Sequence, residues 1–402
     1  SAEYGAKPGS DITFALAKAW NDSCASLSAS KAVVPSRTYK LRGASLRGPC
    51  KAPIELQAPE KDSELTMEGT WVGFKHVDMI TVSGGESFDG QGAFAWSQNN
   101  CSKSKHCSGS ANLRFDFVTN STIKDVTSLN SKNFHVHVYG CNNVTFQHVH
   151  VTAPGDNKNI DGIHIGKSTG INITHTYIGT GDDCVSIGDG NNQIAVTNVT
   201  CGPGHGISIG SLGRYDNEES LAGIIVKNYT LTNTQNGVRV KTWPNSPVAT
   251  AASDIHFEDI IMVNTRLPFN NPIVIDQLYC PYKKCDNLPP SEVKINDVIF
   301  KNIKGSSATA LSLKIVCSSG SPCENVELAD WSQRNSYLSI FKRQANNFWP
   351  DQGSYLRYIL RDASSLDLRR ERTNVLGDYK LNQNPNGVSS TFKQNEHNQV
   401  KN

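Results

Sequence analysis

The chain has 402 residues, enough for one large β domain or two smaller ones and for a sizeable core. Its 39 basic and 37 acidic residues leave a formal charge of +2, which excludes a bulk electrostatic pull toward nucleic acid or an anionic membrane. No apolar run approaches the roughly 18–20 residues of a membrane-spanning helix, so neither nucleic acid nor membrane is expected as a partner.

Residues Ser1-Ala2-Glu3-Tyr4 open without a charged and then apolar leader, as a mature N-terminus would. Asp11 is placed to cap a helix whose apolar stripe is Ile12, Leu16, Ala19 and Trp20, with Phe14 off it. Such a helix ahead of a long β region is expected to cover the open edge of a sheet stack. Residues 31–118 read as short strands and turns, with Ile80-Thr81-Val82 and Phe88-Asp89-Gly90-Gln91-Gly92 as typical pieces. The stretch from Cys101 to Cys107 reads as a pinned surface loop.

From about residue 119 a repeat sets in. Similar strands begin near Ile123, Val144, Ile171, Ile194, Ile224, Ile255, Val293 and Val326, at intervals of 21, 27, 23, 30, 31, 38 and 33 residues. Irregular intervals argue against helical repeats of fixed period and suit a coil whose strands keep register while its loops vary. The fold expected is all-β: a right-handed parallel β-helix with a short N-terminal capping helix, over residues 1–331. After Trp331 no further coil is visible. Residues 332–402 form an atypical C-terminal segment; Phe341, Phe348, Trp349, Tyr355 and Tyr358 suit a packed cap, and the polar remainder suits disorder.

Eleven cysteines suit an oxidising compartment. Cys101/Cys107, Cys280/Cys285 and Cys317/Cys323 are short-range candidate pairs, Cys24/Cys50 and Cys184/Cys201 longer ones, and Cys141 is left over. Asn-x-Ser/Thr sequons begin at Asn21, Asn100, Asn120, Asn143, Asn172, Asn198 and Asn228, and with the cysteines they favour secretion. No Cys-x-x-Cys pair is matched by a second, so no metal site of that kind is expected.

The chemistry-bearing stretch runs from Asn159 to Lys241. Asp161-Gly-Ile-His-Ile-Gly, Asp183-Cys-Val-Ser-Ile-Gly, His205-Gly-Ile-Ser-Ile-Gly and Asn236-Gly-Val-Arg-Val-Lys align under one another, with 22 residues from Asp161 to Asp183 and again from Asp183 to His205. On a parallel coil, residues one turn apart stack at about 4.8 Å. Asp161, Asp183 and His205 then sit on successive turns, with Asn236 continuing the row. His164, Ser186, Ser208 and Arg239 form a second row, and Gly166, Gly188 and Gly210 a bare floor beside which Lys241 projects. Carboxylates this close cannot all ionise cheaply, so one pKa is expected to rise. Arg239 and Lys241 point out of one strand, offering a planar fork and a point charge to a carboxylate ligand. His205, between glycines, is placed to tune an acid or to touch a sugar.

Six motifs carry a family resemblance: Tyr4-Gly5-Ala6-Lys7-Pro8, Asp89-Gly90-Gln91-Gly92, Asn159-Ile160-Asp161-Gly162, Gly181-Asp182-Asp183-Cys184, Gly204-His205-Gly206 and Arg239-Val240-Lys241. The chain over residues 2–330 resembles the plant polygalacturonases of glycoside hydrolase family 28, most closely the pollen exopolygalacturonase type. The resemblance implies a secreted, extracellular cell-wall enzyme with no metal or organic cofactor, acting on polygalacturonan (pectin). It also implies inverting hydrolysis of α-1,4 bonds, with exo attack. Asp182 matches the family's general acid, and Asp161 and Asp183 the pair that holds and deprotonates water. Asn159 and Tyr279 match sugar-contacting residues. Two departures stand out: Ile160 replaces the usual Thr, which predicts a perturbed turn, and the family's C-terminal cysteines are missing. A monomer is expected. Two other readings stay open, a Ca²⁺-dependent lyase on the same scaffold and a non-enzymatic, allergen-like wall-binding protein.

Overall fold

A strand of alternating residues buries every second side chain, and in this chain the buried ones of successive coils pile on one another. Ile163, Val185, Ile207, Val238 and Ile273 are cross-strand partners and fully buried, as are Ile165, Ile187, Ile209, Val240 and Ile275. The computed structural model describes residues 2–57, 64–67, 72–85, 87–97, 110–157, 159–263, 271–281, 285, 288–306, 311–330, 332–334, 337–341, 356–359 and 389–391.

The architecture is a right-handed parallel β-helix, the hand that parallel crossovers take in nearly all proteins. One face of each coil is a short strand of a single sheet. Its central members are Leu113–Asp116, Val136–Tyr139, Ile163–Gly166, Val185–Ile187, Ile207–Leu212, Asn236–Thr242, Asn271–Asp276 and Leu311–Val316. The rest of each coil bends through strands of a second sheet, which lengthen from Thr119–Lys124 and Thr127–Leu129 to the continuous Ala251–Val263.

The N-terminal helix Thr13–Cys24 buries Ala15, Leu16, Ala19 and Trp20 and leaves Phe14 80% exposed, as the stripe predicts. Asp11 Oδ1 accepts the backbone N–H of Thr13 at 2.9 Å. Trp20 donates its indole N–H to the Arg47 carbonyl at 3.0 Å and meets Phe74 edge-on, so the helix closes the first coils.

The coil bends at two turns, and from about residue 120 to 325 each uses a left-handed residue on successive described coils. Asp125, His148, His175, Asn198, Asn228, Asp259 and Asn302 follow paired strand residues and all have φ near +50°. Asn120, Asn143, Gln193, Asp254, Asp297 and Asn325 do the same at the other turn, with Gly170 and Gly223 interspersed. Left-handed backbone disfavours most side chains and is tolerated best by Gly, Asn and Asp. The Asn side chains link coils directly, Asn143 to Asn120 at 2.9 Å and Asn228 to Asn198 at 3.4 Å. Four of the sequon asparagines therefore also have a structural reason to be asparagine.

The extent of the coil and two strand registers differ from the sequence reading. The repeat seen from about residue 119 is already present earlier in the expected solenoid: Ala44–Arg47 pairs in parallel with Val72–Lys75, and that strand with Leu113–Asp116. Val144 pairs with Ser121 rather than Ile123, and Ile255 with Val298 rather than Val293. The coil also runs on past Trp331, since Ser332–Arg334, Tyr337–Phe341 and Leu356–Ile359 each pair in parallel with the preceding coil. Phe348, Trp349, Tyr355 and most of the C-terminal segment lie outside the described residues, as does the Cys101–Cys107 loop.

Disulfides join Cys24 to Cys50, Cys184 to Cys201, Cys280 to Cys285 and Cys317 to Cys323, as the spacing suggests. Cys141 is free and buried, and burial pushes its thiol up to about 11. No helix among the described residues is long and apolar enough to cross a membrane.

Candidate active site

The groove lies where the first sheet turns its polar face outward. Pairing sets His164 beside Ser186, Ser186 beside Ser208, and Ser208 beside Arg239, so the row read from sequence exists. The acids sit just before these strands, on the turns that lead into them. Those turns are tight: a Cβ on Gly181 would fall 1.7 Å from the Asn157 carbonyl. Gly206 has φ +87° and packs so closely on the next coil that a Cβ would come within 2.2 Å of the Gly237 carbonyl. Backbone contact at this range holds Asp182, Asp183 and His205 in place.

Asp183 is the best anchored acid. One carboxylate oxygen pairs with Arg239 Nη2, the other with Lys241 Nζ at 3.2 Å; Asp183 and Lys241 are buried and Arg239 is mostly so. Burial alone would raise its pKa, but Arg239, Lys241 and His205 and the Ser208 hydroxyl hold it well below the ordinary carboxylate range. Arg239 is braced in turn by donating Nε–H to Ser208 Oγ at 3.0 Å. Burial lowers the Lys241 pKa against the opposing charge of Asp183.

Asp161 is the acid whose pKa is raised well above the usual range, by burial and then by the charges of Asp182 and Asp183. Ser186 Oγ donates to Asp161 Oδ2 at 2.6 Å, and the His164 Nδ1 lies 2.8 Å from the same hydroxyl. Burial, with the neighbouring His137, keeps His164 neutral, its pKa lowered to about 3. Among the three acids, Asp161 is thus the one whose surroundings favour the protonated form.

Asp182 is the open acid. Its Oδ1 meets His205 Nδ1 at 2.8 Å and accepts the Asp183 backbone N–H at 2.9 Å. Among the described residues, Oδ2 has no hydrogen-bond partner. Oxygens of Asp182 and Asp183 and a His205 ring nitrogen lie within 4.8 Å of one another, a spacing that would also suit a cation. Both Asp183 oxygens already face cations, however, which a divalent ion would have to displace, so the donor set fits proton transfer better.

Tyr279 borders the cluster, with Lys241 Nζ 5.1 Å from its ring centroid and Trp243 meeting it edge-on at 5.7 Å. Asn159 is exposed, at φ +60°, on the turn before Asp161. Ile160 is fully buried, and its carbonyl accepts the Thr180 hydroxyl, so the turn is held by backbone and an apolar plug.

Sequence reasoning missed three groups. Ser186 and His164 were placed in a row but given no role toward Asp161. The stack of Phe134 on His164 (4.7 Å) and His137 beside it (5.5 Å) closes the N-terminal side of the cluster; burial first, then Arg114, lowers the His137 pKa to about 4. Its signal was the His at the same outward position one coil earlier. Trp243, two residues beyond Lys241, was likewise overlooked.

Comparison with known proteins bears on this geometry. The sequence profile of the family described as glycosyl hydrolases family 28 matches residues 24–342. A polygalacturonase of Medicago sativa is 52% identical over 342 residues, covering 81% of this chain and 79% of that protein. An exopolygalacturonase of Platanus acerifolia is 48% identical, covering 82% and 88%. Among solved structures, an exopolygalacturonase from Thermotoga maritima superposes with a TM-score of 0.65 at 14% identity, covering 84% of this chain and 89% of that one. The polygalacturonase of Erwinia carotovora gives 0.63 at 20% identity, covering 88% and 97%. At such identities these two structures bear on the fold alone.

Proposed function

From the premise that this chain belongs to family 28 of the glycosyl hydrolases, we propose that it is a secreted polygalacturonase of the plant cell wall. It hydrolyses α-1,4-galacturonosyl bonds with inversion and attacks polygalacturonan from a chain end. The observation that carries the reading is three carboxyls on two neighbouring coils, two of them in contrasting states: Asp183 ionised between two cations, Asp161 raised toward its protonated form.

Asp182 serves as general acid, its open Oδ2 delivering a proton to the leaving glycosidic oxygen. His205 holds the other oxygen and so aims the carboxyl. Asp161 and Asp183 hold the attacking water on the opposite side, and the ionised member takes its proton. A uronate entering the groove adds negative charge and favours the protonated acid that faces it. Arg239, Lys241, Tyr279 and Asn159 bind the sugar around this centre.

Exo attack is supported by relatives such as the Platanus acerifolia protein, whose name states it. Secretion is supported by the four disulfides among the described residues and by sequon asparagines exposed at Asn21, Asn120, Asn143, Asn198 and Asn228. The protein acts as a monomer built on one solenoid domain, whose parallel coil continues into Leu356–Ile359.

The test is product analysis of polygalacturonic acid digested in mildly acidic buffer by the wild type and by Asp182→Asn, with and without chelator. Saturated monogalacturonate from the wild type alone, indifferent to chelator, is expected. Mixed oligomers would replace exo by endo attack, and an unsaturated, chelator-sensitive product would overturn hydrolysis.

A further inference from the structure

The two cations assigned to a substrate carboxylate, Arg239 and Lys241, are already engaged with Asp183 and largely shielded from solvent. Their charge is largely spent on stabilising that acid. A polyanionic glycan needs a further cation along its path, one that is exposed and has its donors available. The wall that starts at Lys241 leads to one: Lys241 lies over Tyr279, Tyr279 meets Trp243, and Arg214 lies over Trp243, its guanidinium carbon 5.1 Å from the ring centroid.

Arg214 sits in the exposed loop after Ile207–Leu212. Its guanidinium is also 5.3 Å from the Tyr215 ring, so two aromatic rings hold the cation. A guanidinium stacked on rings through its faces keeps its N–H donors at the edge. No carboxylate lies within ion-pair distance of it among the described residues.

The loop is built to hold this arrangement. Glu218 turns its carboxylate inward to accept the backbone N–H groups of Gly213, Arg214 and Tyr215, so its charge caps the loop rather than pairing with the guanidinium. Glu219 is drawn away to Lys167 at 2.9 Å. Trp243 is fixed by donating its indole N–H to Ser211 Oγ at 2.8 Å.

We propose that Arg214, held against Trp243 and Tyr215, reads the carboxylate of a uronate one sugar or more beyond the reacting bond. Trp243 supplies the apolar face against which that sugar packs. The proposal rests on the polyuronate reading above and adds a site that sets preference for chain length and for unesterified sugar.

The experiment uses Asp182→Asn protein, which leaves oligomers uncleaved. Titration calorimetry with tetragalacturonate, as free acid and as full methyl ester, is run with and without Arg214→Gln. A charge-assisted pair is worth about tenfold or more in affinity. Arg214→Gln is expected to weaken the free acid by that factor and to leave the methyl ester within about twofold, with Arg214→Lys in between because the point charge remains and the fork is lost. Equal losses on both ligands would make Arg214 merely structural, and no loss on either would remove it from the groove; each result overturns the proposal. If the Asp182→Asn parent, folded by circular dichroism, binds neither ligand, the polyuronate reading falls first and this site with it.

Discussion

Two stacks of side chains run along this solenoid at the same spacing, and they differ in kind. At the turns, Asn, Asp and His repeat from coil to coil at φ near +50°, exposed and bonded to their own like. In the groove, His164, Ser186, Ser208 and Arg239 share one register, yet no two consecutive coils do the same job. There the bonds run to acids on other turns: Ser186 to Asp161, and Arg239 to Asp183. A uniform stack answers a demand of the backbone, the same on every coil. A mixed stack assembles one site from several coils, so losing one member disables a function while the coil survives.

The sharpest way to break this contrast is Asp182→Asn. It removes the proposed acid with little change in shape, so activity on polygalacturonate is expected to fall by about 10²–10⁴-fold while the thermal midpoint stays put. A matching loss of stability would make Asp182 structural, like the turn residues.

Asp183→Asn is expected to strike both properties. It leaves Arg239 and Lys241 buried without their carboxylate, and breaking a buried pair costs about 3–5 kcal/mol by denaturant titration. The pH dependence follows from sign. Asp183 is depressed in the fold, so its contribution is fully present above its ordinary value of 3.8 and is lost as pH falls below it. The stability gap between wild type and Asp183→Asn should therefore narrow progressively below about pH 4. A gap constant down to pH 2 would contradict the pairing.

How much of this was legible in the sequence follows the same contrast. Alternating aliphatics with 22-residue spacing gave the coil, its register and the acid row, because each buried residue is stacked on its like. The repeat in the first coils escaped because aliphatic pairs such as Ile54/Ile80 and Leu56/Val82 on one sheet are combined with an aromatic stack, Phe74 on Phe115, on the other. The strand start at Ile123 was misjudged by two residues, a slide that a period-two pattern tolerates, and that at Val293 by five, because buried Val293 and Ile295 precede the turn at Asp297. In the groove, Asp161, Asp183 and His205 could be placed, but not which acid is raised, since that depends on burial and on Ser186. Arg214 was invisible because a loop carries no period.

Ser186→Ala tests that dependence at smaller scale. Removing the donor takes away an interaction that lowers the Asp161 pKa, so the pKa rises further. If Asp161 acts ionised, the acid limb of kcat/KM moves to higher pH while the plateau changes little. An unmoved limb would sever Ser186 from the site. The mildest change is Asn228→Ala in the turn stack, where a side chain ill-suited to left-handed backbone is expected to cost about 1–2 kcal/mol of stability and no activity. A drop in kcat would tie the two stacks together.

The central claim is that Asp182 protonates the leaving oxygen while Asp161 and Asp183 drive water in from the opposite side. The most direct measurement is the anomeric form of the first product, followed by proton NMR within seconds of adding wild-type protein to polygalacturonate. The account predicts the β-anomer first, with the α-anomer appearing only by mutarotation, and no new reducing end from Asp182→Asn. An α-anomer formed first would mean retention, and the assigned water and acid would then be wrong.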